Sequence, residues 1–485
     1  MKHSILIGFA ILAVALCSGC TKKQAVSENN PTDADVTAQN QEFSNRKPFQ
    51  FTITTDIETD SENVEITVSI NKMDEEYPVL YDLDCESDGD YEFTGLTDDH
   101  KCVFDKNTGK HQISVRGNIP GMFLCARHPP EWIICDTSEY YDDMDDYVDD
   151  LDDDVDFRCI LASGKDDSGK AVQSIDSWGD ISWKSMFAFA AYCKALEKIP
   201  AEAPDLSHVS DMSHMFEDAY SFNQPLEKWD VSNVTNMSDM FRSASSFNQP
   251  LEKWDVSNVT DMSRMFKFDH SFNQPLEKWD VSNVISMSEM FHNADSFNQP
   301  LEKWDVSNVK DMSCMFEYAV IFNQPLEKWN VSNVTNMGGM FNEAKSFNHP
   351  LENWNVSNVF SMSAMFAHAI SFNQPLEKWD VSNVISMSSM FAEAYSFNQP
   401  LEKWNVSNVT NMSWMFKYAK SFNQPLEKWN VSNVTGMHWM FSGASKFSHY
   451  PKSWIVPEGE DGSMFEYTKV EDIAKKTPLK TKKRE

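Results

Sequence analysis

Alternating carboxylates are the side chains in this sequence best suited to metal chemistry. Asp82, Asp84, Glu86, Asp88 and Asp90 occupy every second position of one stretch. Carboxylate oxygens are the ligands that Ca²⁺ prefers in proteins. The stretch lacks the glutamate that closes an EF-hand loop, and a strand followed by a turn with a solvated face explains the same spacing. We predict no metal site and no cofactor, and leave open whether these acidic residues bind Ca²⁺.

Side chains that could carry out catalysis are scattered along the chain. The 12 histidines form no cluster, and the sequence contains no G-x-S-x-G, H-E-x-x-H or phosphate-binding glycine loop. No Cys-x-x-Cys pair indicates a zinc site. The sequence therefore predicts a protein that is not an enzyme.

Cysteines are numerous enough for several disulfides if the chain is exported to an oxidising compartment. Candidate pairs are Cys85 with Cys102, Cys125 with Cys135, and Cys159 with Cys193. The pairing stays open, because four cysteines alone allow three arrangements. Cys314 is left over, and its place in the repeat described next predicts an exposed thiol.

A repeat of 25 residues dominates the chain from Phe222 to Lys446 and reads FNQPLEKW[DN]VSNVxxMSxMFxxAxS. Nine copies are present, each with one tryptophan: Trp229, Trp254, Trp279, Trp304, Trp329, Trp354, Trp379, Trp404 and Trp429. A period of this length is typical of one small supersecondary unit stacked on itself. Because the interiors of such stacks are filled, we predict that these tryptophans form the repeat core and do not line a ligand channel.

Within one unit, the spacing of apolar residues predicts a strand and a return path. Leu226, Trp229 and Val231 follow the L-x-x-L-x-L pattern that opens a leucine-rich-repeat strand, with Trp229 and Val231 facing inward. Apolar residues from Val234 to Phe247, three or four apart, predict a short helix or 3₁₀ turns. Asn223 and its copies are expected to form hydrogen-bonded ladders along the stack.

The region before the repeats is strongly acidic and has a different periodicity. Between Pro48 and Ile160 there are 30 acidic against 7 basic residues, within a chain of net charge −33. Alternating apolar runs that begin at Phe49, Val64, Val79 and His111 predict a β-sandwich. The stretch from Tyr81 to Val115 resembles a PKD-type immunoglobulin-like domain. The ten aspartates between Tyr140 and Asp156 are interpreted as a solvated insertion. So acidic a chain is not expected to bind nucleic acid.

The N-terminus has the pattern of an export signal. Lys2 and His3 precede an apolar run from Ile5 to Leu16 that is too short to span a bilayer. The following residues, Cys17-Ser18-Gly19-Cys20, resemble a bacterial lipobox, which implies lipidation of Cys20, with Cys17 as the alternative. A plain secretory signal is the other interpretation. Lipid would then be the chain's one membrane attachment.

Positions that differ between copies suggest where a ligand binds. Aromatic residues gather there toward the C-terminal end: Tyr395, Trp414, Tyr418 and Trp439, with Phe360 earlier. Exposed aromatic residues on adjacent units would form a platform for protein or sugar contact. The alternative is that these residues drift freely or cover a cap.

The residues FNQPLEKWDVSNVTNMSDMF at 222–241 and WGDISWKSMF at 178–187 resemble bacterial surface lipoproteins with BspA-like leucine-rich repeats, also described as a bacterial surface 26-residue repeat. The resemblance implies a mostly β chain with short helical or 3₁₀ turns, in which a leucine-rich-repeat solenoid follows a small β-sandwich. It also implies a monomeric, lipid-anchored surface protein that binds an extracellular protein or a cell-surface ligand, plausibly as an adhesin. The alternative is a cell-envelope structural protein without a specific ligand.

The predicted domain layout follows from these features. It comprises a signal peptide (1–20), a disordered tether (21–47), an acidic sandwich (48–160), opening repeats (161–221), nine repeats (222–446), a capping repeat (447–470) and a basic disordered tail (471–485).

Overall fold

The computed structural model describes residues 46–56, 63–70, 80–88, 91–98, 100–119, 122–124, 168–460 and 463–483. Within them strands and turns predominate, and helix is limited to two short segments, so the prediction of a mostly non-helical chain with β-strands is confirmed. The predicted signal peptide, most of the tether and the aspartate-rich insertion lie outside these residues.

Strands before the repeats form two antiparallel sheets. The elements are β1 (Phe49–Thr54), β2 (Asn63–Ile70), β3 (Leu80–Asp84), β4 (Phe93–Leu96), β5 (His100–Asp105), β6 (Lys110–Asn118), β7 (Met122–Phe123), α1 (Ser168–Ala171) and β8 (Val172–Trp178). One sheet has the order β4-β3-β6-β1-β8 and the other β5-β2-β7. Alternate residues of β1 and β2 are buried in one shared core, as the period of two predicted.

Strand β8 joins this domain to the repeats. It lies in the segment 161–221 that we predicted to be opening repeats, so the predicted boundary before that segment is wrong. Along one edge β8 pairs with β1, and through Ser174 it forms a parallel bridge to Lys198. Gly179 follows with a φ of +66°, and a Cβ there would lie 2.5 Å from the backbone nitrogen of Phe49. Glycine is therefore required where the chain leaves the sheet.

Aromatic rings of successive units are stacked through the interior of the repeat region. The rings of Phe241 and Phe266 lie 5.7 Å apart and those of Trp304 and Trp329 lie 6.4 Å apart, both nearly parallel. The nine repeat tryptophans are only 3–5% exposed. Each tryptophan buries about 150–250 Å², so these rings supply much of the apolar contact between neighbouring units.

Backbone hydrogen bonds join each unit to the next in parallel. In the unit that begins at Phe222, alternate residues donate their N–H groups to carbonyl oxygens 24 residues further on: Met237, Asp239, Phe241 and Ser243. Asn236 also forms an isolated parallel bridge with Asp261, and equivalent bridges recur along the region. These alternate backbone donors are thus satisfied by the next unit.

Asparagine ladders add a second set of bonds between units. The backbone N–H of Asn248 donates to Oδ1 of Asn223 at 3.0 Å, and Nε2 of Gln249 donates to the same oxygen at 2.8 Å. The predicted ladder is therefore confirmed, although backbone and glutamine groups are the donors and asparagine the acceptor.

The predicted leucine-rich-repeat strand is wrong. The segment from Leu226 to Val234 forms turns, in which Trp229 N–H donates to Leu226 O and Val234 N–H donates to Val231 O. Asp230 Oδ1 also accepts the N–H of Ser232. These local bonds compete with pairing to a neighbouring strand. Trp229 and Val231 are nevertheless buried, as the alternation predicted.

A folded segment covers the C-terminal end of the repeats. It contains β9 (Ile455–Pro457), α2 (Glu471–Lys476) and β10 (Lys480–Lys482), and β10 pairs in parallel with β9. The predicted disordered tail is therefore wrong as far as residue 483, because burial of Leu479 and this strand pairing hold it in place.

Glu460 supplies one hydrogen-bond acceptor in this cover through its side chain. Met412 N–H donates to the carbonyl oxygen of Gly436 in the next unit at 2.8 Å. The equivalent N–H of Met437 instead donates to Oε2 of the buried Glu460 at 3.1 Å. A carboxylate thus takes the place of a backbone carbonyl.

Candidate ligand-binding face

Residues at equivalent positions of successive units, 25 apart, form columns along the repeat region. The four columns that contain Asp239, Arg242, Ser243 and Ser245 are together called the variable face. Asp239 and Ser243 have a φ of 56°, and the copies in both columns also have positive φ. Few non-glycine residues adopt this conformation, and here it is fixed by the hydrogen bonds that both residues donate to the next unit.

Ion pairs cover the N-terminal part of the variable face. Glu217 Oε1 accepts from Arg242 at 3.0 Å, and the carboxylate of Asp239 accepts two bonds of about equal length from Arg264 Nε. Nδ1 of His214 lies 2.7 Å from Oε2 of Glu217. Burial raises the pKa of Asp239 above its ordinary value, although the hydrogen bond and charge of Arg264 oppose the change.

This network crosses from unit to unit and continues toward the middle of the face. Arg264 also approaches Glu289 at 3.9 Å, Lys267 contacts Glu289, and His292 Nδ1 lies 3.0 Å from Glu317. Sequence reasoning missed these pairs. Their signal was the alternation of charge between adjacent units at equivalent positions, since an acid in one unit faces a base in the next.

Small residues occupy the middle of the same columns. Gly339, Ala364 and Ser389 follow Cys314 in the column of Asp239. The Cβ of any residue replacing Gly339 would lie 2.7 Å from Cys314 Sγ, and the φ of Gly339 is +63°. The thiol of Cys314 therefore fills the space beside a glycine.

Aromatic rings cover the C-terminal part of the face. The indoles of Trp414 and Trp439, on adjacent units, are stacked 6.1 Å apart with an interplanar angle of 12°. Both are half-buried, whereas Tyr418 is exposed. Tyr395 donates its hydroxyl to Glu393 Oε2 at 2.7 Å, and this hydrogen bond raises the pKa of Tyr395 to about 12.

Two lysines that sequence reasoning missed lie among these rings. Lys417 Nζ is 5.7 Å from the Trp439 ring and 5.8 Å from the Tyr418 ring, and Lys420 Nζ is 4.1 Å from the Tyr395 ring. We call Trp414, Trp439, Tyr418, Tyr395 and these two lysines the aromatic cluster. Cation–π contacts of this kind contribute about 0.5–1 kcal/mol at exposed sites.

Phe360, the fifth predicted ligand-binding residue, is not part of this cluster. It is 54% exposed and lies in the column of Thr335 and Ile385, outside the variable face. The structure therefore places four of the five predicted aromatic residues on the variable face, where the rings of Trp414 and Trp439 contact each other.

Cysteines divide into bonded, free and undescribed groups. Cys85 and Cys102 form a disulfide with Cα atoms 5.7 Å apart, and Cys193 is also disulfide-bonded. Cys314 is free, and the prediction of an exposed thiol is wrong because the next unit half-buries it. Cys20, Cys125, Cys135 and Cys159 lie outside the described residues.

The alternating carboxylates of the first domain are used for internal bonds where the structure describes them. Asp82 is buried and accepts hydrogen bonds from Arg116 Nε and from the N–H of Gly95. Asp84 is also buried and accepts from the N–H of Glu86. Among the described residues, no group of three or more His, Cys, Asp or Glu side chains is placed to hold a metal ion.

Helices in the described part of the chain are too short and too polar to cross a membrane. No protein of curated function and no solved structure matches the sequence. A family model described as "Mycoplasma protein of unknown function, DUF285" matches residues 181–302, 268–376 and 349–454. Because these overlapping matches cover more than half of the chain, the protein belongs to the DUF285 family.

Proposed function

We propose that this protein is a lipid-anchored bacterial cell-surface protein whose repeats form a solenoid that binds a protein or another cell, as an adhesin does. The aromatic cluster is the observation that carries the proposal. Trp414 and Trp439 occupy positions where other units have residues such as Ser389 and Ala364, so repeat packing does not require an indole there.

Energetic reasons also favour a binding role for this cluster. Tryptophan and tyrosine are enriched among the residues that contribute most to binding, where truncation costs about 2 kcal/mol or more. An exposed tyrosine beside two half-buried indoles leaves apolar surface in contact with water. Binding of a partner that covered this surface would be favoured by the burial of its apolar area.

Attachment of the bacterium tests the proposal directly. Cells that carry the full-length chain would be compared with cells carrying Trp414→Ala with Trp439→Ala, and with Phe360→Ala as the matched control at an exposed aromatic residue outside the cluster. We expect the double variant to lose most attachment to host cells or immobilised extracellular proteins at equal surface display, while the control retains it. Equal attachment by all three would refute the binding role.

Anchoring is tested separately, through Cys20. Intact cells would be treated with protease and probed with an antibody to the repeats, with Cys20→Ala as the comparison. The proposal requires that protease removes the wild-type signal and that the variant is released from the cells. A signal protected from protease would contradict surface exposure.

A structural role in the envelope is the second candidate, and the columns of glutamate and lysine that include Glu227 and Lys253 favour it. Lysine and glutamate side chains pair between adjacent units there, as in Lys253 with Glu227 at 3.2 Å and Lys403 with Glu377 at 3.2 Å. These columns are nearly uniform and nearly balanced in charge, with Asn353 in place of one lysine. If surface display is confirmed and attachment is unchanged in the double variant, the envelope role is preferred.

A further inference from the structure

Lys417 and Lys420 differ from the other lysines of the variable face in what contacts their charge. Lys267 contacts Glu289, and Lys345 lies 3.2 Å from Glu343. Within residues 168–460 and the other described segments, by contrast, no carboxylate lies within salt-bridge distance of Lys417 or Lys420, and aromatic rings contact both. The cluster thus presents two ammonium groups that are available to an anion, on the surface of a chain whose net charge is −33.

A flat aromatic surface lies next to these charges. One face of the Trp414 indole is stacked on Trp439. In the preceding unit the same column holds Ser389, so no ring of that unit covers the other face of Trp414. Lys417 is one turn away, because its backbone N–H donates to the carbonyl oxygen of Trp414 at 2.9 Å.

We propose that the aromatic cluster binds an anionic saccharide, with a pyranose ring against the indole of Trp414 and the sugar's carboxylate or sulfate at Lys417 and Lys420. The inference rests on the proposed function, because it names the ligand class of the same surface. It requires both features together: a flat apolar face for the ring, and unpaired ammonium groups for the anion.

Other anionic ligands match the site less well. A polynucleotide would bring many phosphates toward an acidic protein and would be repelled over its length. An acidic peptide would use the ammonium groups, but its aspartate and glutamate side chains carry no ring to place on the Trp414 indole. A short saccharide with one anionic group per residue uses both features at the lowest electrostatic cost.

Binding would be measured on the purified full-length chain by calorimetry and saturation-transfer NMR. The probes are glucuronic acid for a carboxylate and galactose 6-sulfate for a sulfate, with glucose and galactose as their neutral counterparts. The test variants are Trp414→Ala and the double change Lys417→Gln with Lys420→Gln. Lys403→Gln is the matched control, since Lys403 is exposed and pairs with Glu377. Unfolding midpoints of all variants would show that they remain folded.

We expect at least one anionic sugar to bind more tightly than its neutral counterpart. The lysine double variant should lose about tenfold or more of that affinity, because hydrogen bonds to charged groups are the stronger ones. Trp414→Ala should abolish binding of both the anionic and the neutral sugar, and Lys403→Gln should change neither. Tighter binding of glucuronic acid would identify a carboxylate as the anion, and tighter binding of galactose 6-sulfate would identify a sulfate.

Three results would overturn the saccharide assignment. They are absence of binding by both anionic sugars, an anionic affinity that is the same in the lysine double variant, and displacement of the signal by a polyglutamate peptide of higher affinity. If cell attachment still depends on Trp414 and Trp439 in any of these cases, the proposed function stands and only its ligand class is wrong.

Discussion

Asp269 is a buried carboxylate at a position where the other eight repeat units have alanine, as in Ala244 and Ala294. Its side chain is fully buried. Oδ1 accepts the backbone N–H groups of Ser271 and Phe272, each at 3.2 Å, whereas Oδ2 has no hydrogen-bond partner. The substitution Asp269→Ala gives this unit the side chain that its neighbours already accommodate, and we expect it to stabilise the protein.

Burial raises the pKa of Asp269 well above its ordinary value, although the two backbone hydrogen bonds oppose the change. An acid whose pKa is higher in the folded than in the unfolded chain destabilises the fold once the unfolded chain ionises. This penalty is absent below pH ~4, the ordinary pKa, and grows as pH rises until the folded pKa is passed. One unsatisfied buried polar group costs about 1–3 kcal/mol. Asp269→Ala should therefore raise the free energy of unfolding by about that amount at pH 7, and by less at pH 4.

Urea unfolding midpoints of the wild type, Asp269→Ala and Asp269→Asn, measured from pH 4 to pH 8, check this prediction. The asparagine variant is the matched control, because it removes the charge and keeps the size. The free energy of unfolding of Asp269→Asn should depend less on pH than that of the wild type. Its gain in stability should be smaller than that of Asp269→Ala. A gain from Asp269→Ala that is equal at pH 4 and pH 8, or a loss of stability at pH 7, would refute the reasoning.

Three further perturbations test the packing, the lysine–glutamate pairs and the free thiol. Trp329→Ala should lower the free energy of unfolding by about 3–5 kcal/mol, because its ring is stacked on both neighbouring units; a thermal or urea midpoint close to that of the wild type would contradict the stacked core. Asn353→Lys should raise stability by at most about 0.5 kcal/mol, by supplying Glu327, whose Oε2 has no partner, with the lysine that the other units have; a double-mutant cycle with Glu327→Gln measures this coupling, and a zero coupling energy would exclude the pair. Burial and the nearby Glu317 raise the pKa of the Cys314 thiol, so iodoacetamide at pH 8 should alkylate it slowly in the folded protein and rapidly in urea, as followed by mass spectrometry; rapid alkylation of the folded protein would be inconsistent with the raised pKa.

The sequence predicted the core of the repeats well, because a residue that recurs at every unit has the same neighbours in every unit. Trp329 and its copies, for example, were assigned to the interior from their spacing alone. The backbone conformation was harder to predict. The apolar alternation around Trp229 fits a strand and a series of turns equally well, and the choice depends on local bonds such as that from Ser232 N–H to Asp230 Oδ1.

The candidate site was predicted only in part, for a related reason. Trp414 and Trp439 were found because they depart from the repeat. Lys417 and Lys420 occupy positions where many residue types occur, so their importance depends on the rings beside them. The pairing of Arg264 with Asp239 was missed because it requires comparing residues 25 apart.

The ion pairs of the variable face have a consequence for how the chain finds its correct order. Nine nearly identical units give a folding chain many wrong partners, since a pairing displaced by one whole unit would keep every phenylalanine and tryptophan stack. Such a displacement would separate Arg264 from Asp239 and Arg242 from Glu217, so that each of these buried carboxylates would lose the arginine of the neighbouring unit. The loss of a hydrogen-bond partner by a buried polar group costs about 1–3 kcal/mol. The variable residues therefore identify each unit to its neighbour, while the repeated residues supply the cohesion that all units share.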